Sequence, residues 1–389
     1  MKTLARAAFI AAILLLGVSV TFAEKKPAKP TAAEKKKKEE ANKKRLAERA
    51  KRAKDNKKEN EEIGKDLATL LQKYEKKGLQ GAVLIAKDGV IVYKSGFGYA
   101  DASNKRKNAA DTLFDIGSVS KHFTAAAILK LAEQGKLKLE DSLDKFFKDC
   151  PKDKAKITLS QLLSQSSGIA RDYDAYGSNL VDRDVSMKEL LAIPLSSAPG
   201  TKFEYSNANY YLAGAIVEIA SKETYEQYLE KNIFAPAGMK DTGFCSDKGL
   251  DRNRSARRYE DGQDKGLAVD WPFTWGQRGC GYIISTAEDM LKWSTALEDE
   301  TVLTEESKEL YFKEHLEGYA LGWFKRNSEG DTDYMYHGGS APGARAFFAR
   351  FPADDFMFVL LLNSSKAGEG FEFELWPEIE HVVYERMKG

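Results

Sequence analysis

Strand-like stretches near both ends of the chain enclose a long middle part with a helical pattern, and this arrangement limits the possible folds. Residues 82–93 form two apolar runs joined by Asp88-Gly89, a dipeptide that suits a two-residue hairpin turn. Residues 346–351 and 356–363 again have the composition of strands, separated by Pro352-Ala-Asp-Asp355. We expect the two ends to pair into one antiparallel sheet.

Helical patterns flank the expected sheet and fill the middle of the chain. Apolar residues recur at helical spacing from Ile63 to Tyr74 and from Phe371 to Met387, so we expect terminal helices to back the sheet. Shorter helical patterns occur between about residues 118 and 300, at 160–163, 208–221, 225–229 and 287–297. Periodicity therefore predicts an α+β fold, an antiparallel sheet flanked by helices with an inserted, mainly helical lobe.

The segment that opens this lobe contains a serine and a lysine three residues apart, Ser118 and Lys121. Side chains at this spacing share one face of a helix, with Cβ atoms about 5–6 Å apart. Gly117 allows a tight turn before Ser118, and the helix-forming run from Phe123 ends at Gly135. If this face lines a partly dry cleft, the amine loses proton affinity and can accept the hydroxyl proton. The pattern indicates a serine nucleophile with a lysine base, although a lone serine here also suits an ordinary helix start.

The same spacing recurs at Ser142 and Lys145, where acidic neighbours are expected to keep the lysine protonated. We interpret that copy as a solvated loop or helix end. Two further motifs follow later in the chain. Tyr205-Ser-Asn207 follows the turn Pro199-Gly200, and His337-Gly-Gly339-Ser340 follows a strand-like run.

Together, Ser-x-x-Lys, Tyr-x-Asn and a basic residue-x-Gly in this order resemble the penicillin-recognising serine hydrolases. That family includes class C β-lactamases, DD-peptidases, D-aminopeptidases and related esterases. Residues 157–168, 199–207 and 279–289 are similar to segments of the same family. The resemblance spans roughly residues 63–389 and implies a β-lactamase/transpeptidase-like fold with its cleft between the lobes.

Acyl transfer needs a nucleophile, a proton acceptor and donors aimed at the oxygen that becomes negative. Ser118 would attack a carbonyl and form an acyl-enzyme, and Lys121 would accept its proton, alone or with Tyr205. A tyrosine beside a protonated lysine has its phenolate favoured, so Tyr205 could relay the proton to the leaving group. On its own, Tyr205 better suits an ordinary packed tyrosine.

The resemblance assigns the substrate-binding positions. Asn207, expected on the same side of an extended segment as Tyr205, would hold Lys121 and the substrate amide. His337 would face the cleft, and Gly339 would let the strand backbone approach the substrate closely. The backbone amides of Ser118 and Ser340 would form the oxyanion hole.

Two departures from the family pattern bear on the substrate. Many β-lactamases of this family have Lys-Thr-Gly where this chain has His337-Gly338-Gly339. Neutral histidine and a glycine without a hydroxyl bind a carboxylate less strongly. Gln165 also stands where relatives often carry histidine. The match is closer to D-aminopeptidases, DD-peptidases and esterases, so we do not expect efficient β-lactam hydrolysis.

Other catalytic classes lack their motifs. The chain contains neither Gly-x-Ser-x-Gly, Cys-x-x-Cys nor His-Glu-x-x-His, and it has only four histidines. We therefore expect no metal and no cofactor. His122 is interpreted as a packing or surface residue, since it is rotated about 100° from Lys121 on a helix. His315 and His381 are interpreted as surface histidines.

The N-terminal region differs in composition from the rest of the chain. Residues 1–23 resemble a secretory signal that predicts export to the periplasm or medium, the alternative being a membrane anchor at residues 7–23. Residues 24–62 carry a net charge of +7 and are interpreted as a charged low-complexity tether, which could contact an anionic cell envelope. Residues 63–389, the predicted hydrolase domain, carry −8, which argues against nucleic acid as a partner.

The sequence thus favours an exported serine hydrolase that cleaves an amide or ester of a small molecule or peptide through an acyl-serine intermediate. A true β-lactamase is the alternative within that class. A non-catalytic protein that binds peptidoglycan peptides or acts as a scaffold is the alternative of another class. Cys150, Cys245 and Cys280 leave open one disulfide with a free thiol, or three thiols.

Overall fold

The computed structural model describes residues 32–171, 182–272, 274–365 and 371–387. Contacts divide the chain at residue 41, and residues 42–389 form the larger unit, called the body below. The predicted signal at 1–23 lies outside the described residues, as does the middle of the loop before residue 182.

Six of the described strands form the central antiparallel sheet, in the order 324–327, 333–341, 344–351, 356–362, 81–87 and 90–97. The strands are β1 Gly81–Lys87, β2 Val90–Phe97, β3 Tyr99–Asp101, β4 Arg106–Lys107, β5 Phe114–Asp115, β6 Gly243–Phe244, β7 Arg257–Glu260, β8 Gln263–Leu267, β9 Ile283–Ser285, β10 Phe324–Asn327, β11 Asp333–Ala341, β12 Ala344–Phe351 and β13 Phe356–Leu362.

The pairing of β1 with β13 joins the two ends of the domain, as the sequence predicts. Gly81 lies opposite Leu362 and Lys87 opposite Phe356. Between β1 and β2, Asp88 and Gly89 both have positive φ angles, 52° and 77°, which is the conformation expected of a two-residue hairpin turn. All residues of β1 and β13 are buried, because both faces of the sheet are covered.

The helices cover the two faces of the sheet and build the inserted lobe. They are α1 Ala32–Asp55, α2 Lys57–Lys76, α3 Lys121–Glu133, α4 Leu159–Leu163, α5 Arg183–Ala192, α6 Asn207–Ser221, α7 Tyr225–Leu229, α8 Ala235–Ala237, α9 Ala287–Ala296, α10 Glu305–Tyr311 and α11 Phe371–Met387. A π-helical turn, Glu230–Phe234, joins α7 to α8. Helices α2 and α11 pack on one face through Leu67, Leu71 and Trp376. The larger core on the other face includes Phe348 and the buried side of α3.

The predicted tether needs a correction within the described residues, since residues 32–62 are helical rather than open chain. Opposite charges four residues apart, such as Lys44 with Glu48, favour a helix. Within the body, the part of this helix from residue 42 onwards contacts other elements, because Arg49 pairs with both Glu298 and Asp355 at 2.5 and 2.6 Å. In the part of the chain that the structure describes, no helix has the length and apolar character needed to cross a membrane.

Candidate active site

The candidate nucleophile lies in a tight turn at the start of α3. Gly117–Ser120 forms a 3₁₀ turn that leads directly into the helix at Lys121. Residues three apart eclipse each other in a 3₁₀ turn, so Ser118 and Lys121 lie one above the other. Gly117 has a φ of 50°, and its N–H donates to the buried Asp115 carboxylate at 2.9 Å. This conformation favours glycine and aims the turn at the cleft.

Lys121 is fully buried, whereas Ser118 is partly exposed. The lysine Nζ lies 3.0 Å from Ser118 Oγ, 2.9 Å from Asn207 Oδ1 and 3.2 Å from the Cys280 carbonyl oxygen. Among the described residues, no carboxylate lies within ion-pair distance of this amine. The two carbonyl oxygens hold the amine nitrogen beside the Ser118 hydroxyl, within reach of its proton.

Tyr205 joins this pair from a distant stretch, and its side chain is half-buried. Lys121 Nζ lies 4.9 Å from the centre of the Tyr205 ring. Asn207 is the first residue of α6, and Ser206 before it is extended, so the expected extended segment ends one residue earlier than predicted. Helix α6 aims Asn207 at the lysine. The structure thus brings together the four side chains that the motifs single out.

His337, which the sequence analysis expects to face the cleft, is buried, with 2% of its surface exposed. Its Nδ1–H donates to the Gly338 carbonyl at 2.6 Å, which leaves Nε2 to accept from the Tyr319 hydroxyl at 3.2 Å. Burial lowers the pKa of His337 to about 3, so the ring is neutral. The His337 ring packs next to the Tyr205 ring, with ring centres 6.0 Å apart.

The glycine of the third motif lets β11 approach the turn that carries Ser118. A Cβ on Gly339 would lie 2.0 Å from the Ile116 carbonyl oxygen, and one on Gly117 would lie 2.6 Å from the Ser340 amide nitrogen. Ser340 itself is exposed. The two segments expected to supply the oxyanion hole are therefore in backbone contact.

Gln165 has a clear role in the structure that its sequence position does not reveal. It is fully buried, and its Oε1 accepts from the Ser206 backbone N–H at 3.1 Å and from Asn209 Nδ2 at 2.6 Å. Its backbone carbonyl also accepts from the Glu204 N–H at 2.8 Å. Gln165 thus fixes the segment on both sides of Tyr205.

A second support escaped the sequence analysis. The carboxylate that holds Gly117 belongs to Asp115, which lies 3.6 Å from Arg258 with both side chains buried. Arg258 in turn stacks over Trp271 at 3.6 Å. Burial raises the pKa of Asp115 against the effect of Arg258. Only long-range folding joins these residues, so no local sequence signal could have identified them.

The residues set aside in the sequence analysis lie elsewhere. Lys145 pairs with Asp141 at 2.5 Å and is about half exposed, as predicted for the second Ser-x-x-Lys. His122 is a packing residue, stacked on Trp323 at 3.4 Å. His315 and His381 are exposed, although His381 Nδ1 lies 3.3 Å from a Glu329 carboxylate oxygen. All three cysteines are free thiols. The described residues contain no cluster of metal ligands.

Comparison with known proteins places the whole domain in one family. A family model described as Beta-lactamase matches residues 67–380. The chain therefore belongs to the β-lactamase family of serine hydrolases, which includes the penicillin-binding proteins. The fold is the β-lactamase/transpeptidase-like fold that the motifs imply.

Similar proteins carry several different names. Protein flp of Staphylococcus aureus strain MW2 is 29% identical over 300 residues, 72% of this chain and 59% of flp, so the chain spans less than two thirds of that relative. Penicillin-binding protein 4* of Bacillus subtilis strain 168 is 27% identical over 346 residues, 82% of this chain and 76% of the relative. A crystal structure of D-amino acid amidase from Ochrobactrum anthropi SV3 complexed with D-phenylalanine has a TM-score of 0.68 and 25% identity, and the match covers 86% of this chain and 99% of that one.

Proposed function

We propose that this protein hydrolyses an amide or ester bond through a covalent acyl-Ser118 intermediate, as a peptidase- or esterase-like enzyme. The observation that carries the proposal is the buried Lys121 amine, which has no carboxylate within ion-pair distance among the described residues and lies 3.0 Å from a partly exposed serine hydroxyl. At this distance the lysine nitrogen can receive the Ser118 proton directly, and Asn207 Oδ1 and the Cys280 carbonyl oxygen hold the nitrogen in place.

The proposed reaction has two stages. Ser118 Oγ attacks the substrate carbonyl while its proton moves to Lys121 Nζ, and the backbone amides of Ser118 and Ser340 donate to the oxygen that becomes negative. The proton then passes through the Tyr205 hydroxyl to the leaving amine or alcohol as the substrate bond breaks. Water hydrolyses the acyl-enzyme by the reverse proton transfers, which releases the acid and restores Ser118.

The third motif supports an amide or ester substrate rather than a β-lactam. His337 is neutral and buried, and Gly338 offers no hydroxyl, so the β11 segment provides no side-chain cation for a substrate carboxylate. The likeness to D-amino acid amidase supports an amide of a D-amino acid as the first substrate to try.

The test is a hydrolysis screen with D-amino-acid amides, D-Ala-D-Ala peptides, short esters and the cephalosporin nitrocefin. Wild type and Ser142→Ala should turn over at least one amide or ester, and Ser118→Ala should lose at least 10³-fold in kcat. Preferred nitrocefin turnover would make the protein a β-lactamase. Peptide binding without any turnover, unchanged in Ser118→Ala, would make it a binding protein.

We also propose export of the protein, on the strength of the signal-like residues 1–23. The lysine-rich part of residues 24–62 remains the proposed contact with an anionic envelope, because Arg45, Arg49 and Arg52 already pair with acidic residues of the body. Fractionation of cells that express the full chain, with N-terminal sequencing of the product, tests both statements. A cytoplasmic product with an intact N-terminus would overturn them.

A further inference from the structure

A cavity of about 790 Å³ lies in the body at a place where none of the candidate catalytic residues contributes to its wall. Its wall consists of the second half of α1, the β12–β13 turn, and parts of α9 and α10. Apolar side chains form much of its lining, among them Leu291, Phe312 and Met357. This volume falls within the range of ordinary ligand-binding pockets.

A buried guanidinium belongs to the wall of this cavity. Arg350 lies on β12 and is 5% exposed. Its Nη2 donates to the Ser294 carbonyl oxygen at 3.3 Å, a long hydrogen bond, and its Nε has no partner. Among the described residues, no carboxylate lies within 4.0 Å of its nitrogens.

Glu298 and Asp355, the carboxylates of the wall that act on Arg350 electrostatically, are already engaged by other cations. Glu298 and Asp355 both pair with Arg49, and Asp355 also pairs with Arg52 at 2.7 Å. Glu305 pairs with Lys308 at 2.6 Å. Arg350 is therefore the buried cation of this wall that lacks an anionic partner.

An unpaired buried charge is costly, since its desolvation is not offset by a nearby opposite charge. Burial lowers the pKa of Arg350 to about 10, so the guanidinium is still charged at neutral pH. An anion in the cavity would offset this cost, and an apolar group attached to it would cover the apolar lining.

We propose that this cavity binds an amphiphilic anion, a carboxylate or phosphate monoester with an apolar chain. The charged group would lie on the Arg350 guanidinium, and the chain would lie against Leu291, Phe312 and Met357. The site is separate from the Ser118 cleft, and the proposal does not depend on the proposed hydrolase function.

Titration calorimetry on the full chain at constant ionic strength tests the proposal with four probes: octanoate, octyl phosphate, octanamide and inorganic phosphate. Octanoate or octyl phosphate should bind at least ten-fold more tightly than octanamide, which has the chain without the charge. The same anion should bind at least ten-fold more tightly than inorganic phosphate, which has the charge without the chain. The tighter of the two amphiphiles identifies the headgroup.

Variants then locate the binding. Arg350→Gln should weaken the preferred anion at least ten-fold, whereas Arg345→Gln should not, because Arg345 lies on the same strand and donates only to backbone carbonyls outside the cavity. Equal binding in wild type and Arg350→Gln would overturn the proposal. If Arg350→Gln does not fold, the wild-type comparison decides: equal affinity for octanoate and octanamide, or no binding of either, refutes the site.

Discussion

At the residue scale, the geometry of the site depends on buried groups that hydrogen-bond to Lys121 and to the segment of Tyr205. Lys121 is placed by Asn207 and Cys280, and the segment that carries Tyr205 and Asn207 is placed by Gln165. Buried polar groups of this kind cost free energy unless each one is paired. The positions of the reacting groups therefore depend on these supporting hydrogen bonds.

Gln165→Ala should lower kcat rather than raise KM, because it leaves the Ser206 N–H and Asn209 Nδ2 without their acceptor and loosens Tyr205. A cost of about 1–3 kcal/mol in the placement of Tyr205 corresponds to a drop in kcat of about five- to 150-fold. Steady-state kinetics measure this drop, with circular dichroism as the check of folding. Gln227→Ala is the control, since that exposed glutamine caps α7 away from the site. Equal kcat values for both variants would contradict the role.

The pH dependence of stability should report the two buried histidines. His122 and His337 are neutral in the folded protein because burial lowers the pKa of each, that of His337 to about 3. An unfolded histidine has a pKa near 6.5, so the unfolded chain binds more protons below that pH, and stability is lost as the pH falls. For His337 the loss between pH 7 and pH 5 is about 2 kcal/mol.

His122→Phe removes one of these groups and keeps the stack on Trp323. The free energy of unfolding of this variant should fall less than that of wild type between pH 7 and pH 5. Urea denaturation at both pH values measures the difference. An identical fall in the two proteins would show that His122 is protonated in the folded state.

At the element scale, the site forms where a 3₁₀ turn, the start of α6 and strand β11 meet. The contact between the turn and the strand requires glycine on both sides, because Gly117 and Gly339 each touch backbone atoms of the other segment. Two elements at this distance cannot accommodate a side chain without moving apart.

Gly117→Ala tests this contact, with Gly135→Ala as the matched control. Both glycines have positive φ angles, 50° and 68°, but only a Cβ at Gly117 meets another atom, the Ser340 amide nitrogen at 2.6 Å. Gly135→Ala should cost about 1–2 kcal/mol of stability with full activity, from the strained backbone alone. Gly117→Ala should cost more and lose activity. Thermal denaturation and kinetics compare them, and equal effects would contradict the account.

The elements themselves could largely be predicted from sequence. The hairpin at Asp88-Gly89, the pairing of the chain ends and the last helix, Phe371–Met387, are confirmed because turn residues and apolar periodicity are local signals. The structure also places Ser118, Lys121, Tyr205 and Asn207 together, and their catalytic roles stay predictions. The burial of His337 and the supports from Gln165 and Arg258 could not be predicted, since each depends on contacts between residues far apart in the chain.

At the scale of the whole molecule, the basic N-terminal region is part of the body from residue 42 onwards. The excess of basic residues before position 63 and of acidic residues after it gives the two parts opposite net charges. Three arginines of the basic region form ion pairs with two acidic residues of the later part. Arg45 and Arg49 pair with Glu298, and Arg52 pairs with Asp355.

These pairs should make part of the stability depend on salt. Arg49→Ala removes two short ion pairs of a side chain that is 13% exposed, and we expect a loss of about 1–2 kcal/mol at low ionic strength that shrinks in 1 M NaCl. Lys44→Ala is the control, because Lys44 is 79% exposed and its ion pair is long, 3.9 Å. Chemical denaturation at two salt concentrations measures both. A loss that does not change with salt would contradict an electrostatic attachment.

The most direct test of the central claim is the site of covalent labelling. The folded protein, treated with a fluorophosphonate, digested and mapped by mass spectrometry, should carry one adduct on Ser118, and Lys121→Met should label far more slowly because the proton acceptor is gone. Ser142, which also precedes a lysine by three residues, should stay unlabelled, as should Ser118 in urea-unfolded protein. An unmodified Ser118 in folded protein, or equal labelling of Ser118 with and without Lys121, would contradict the account.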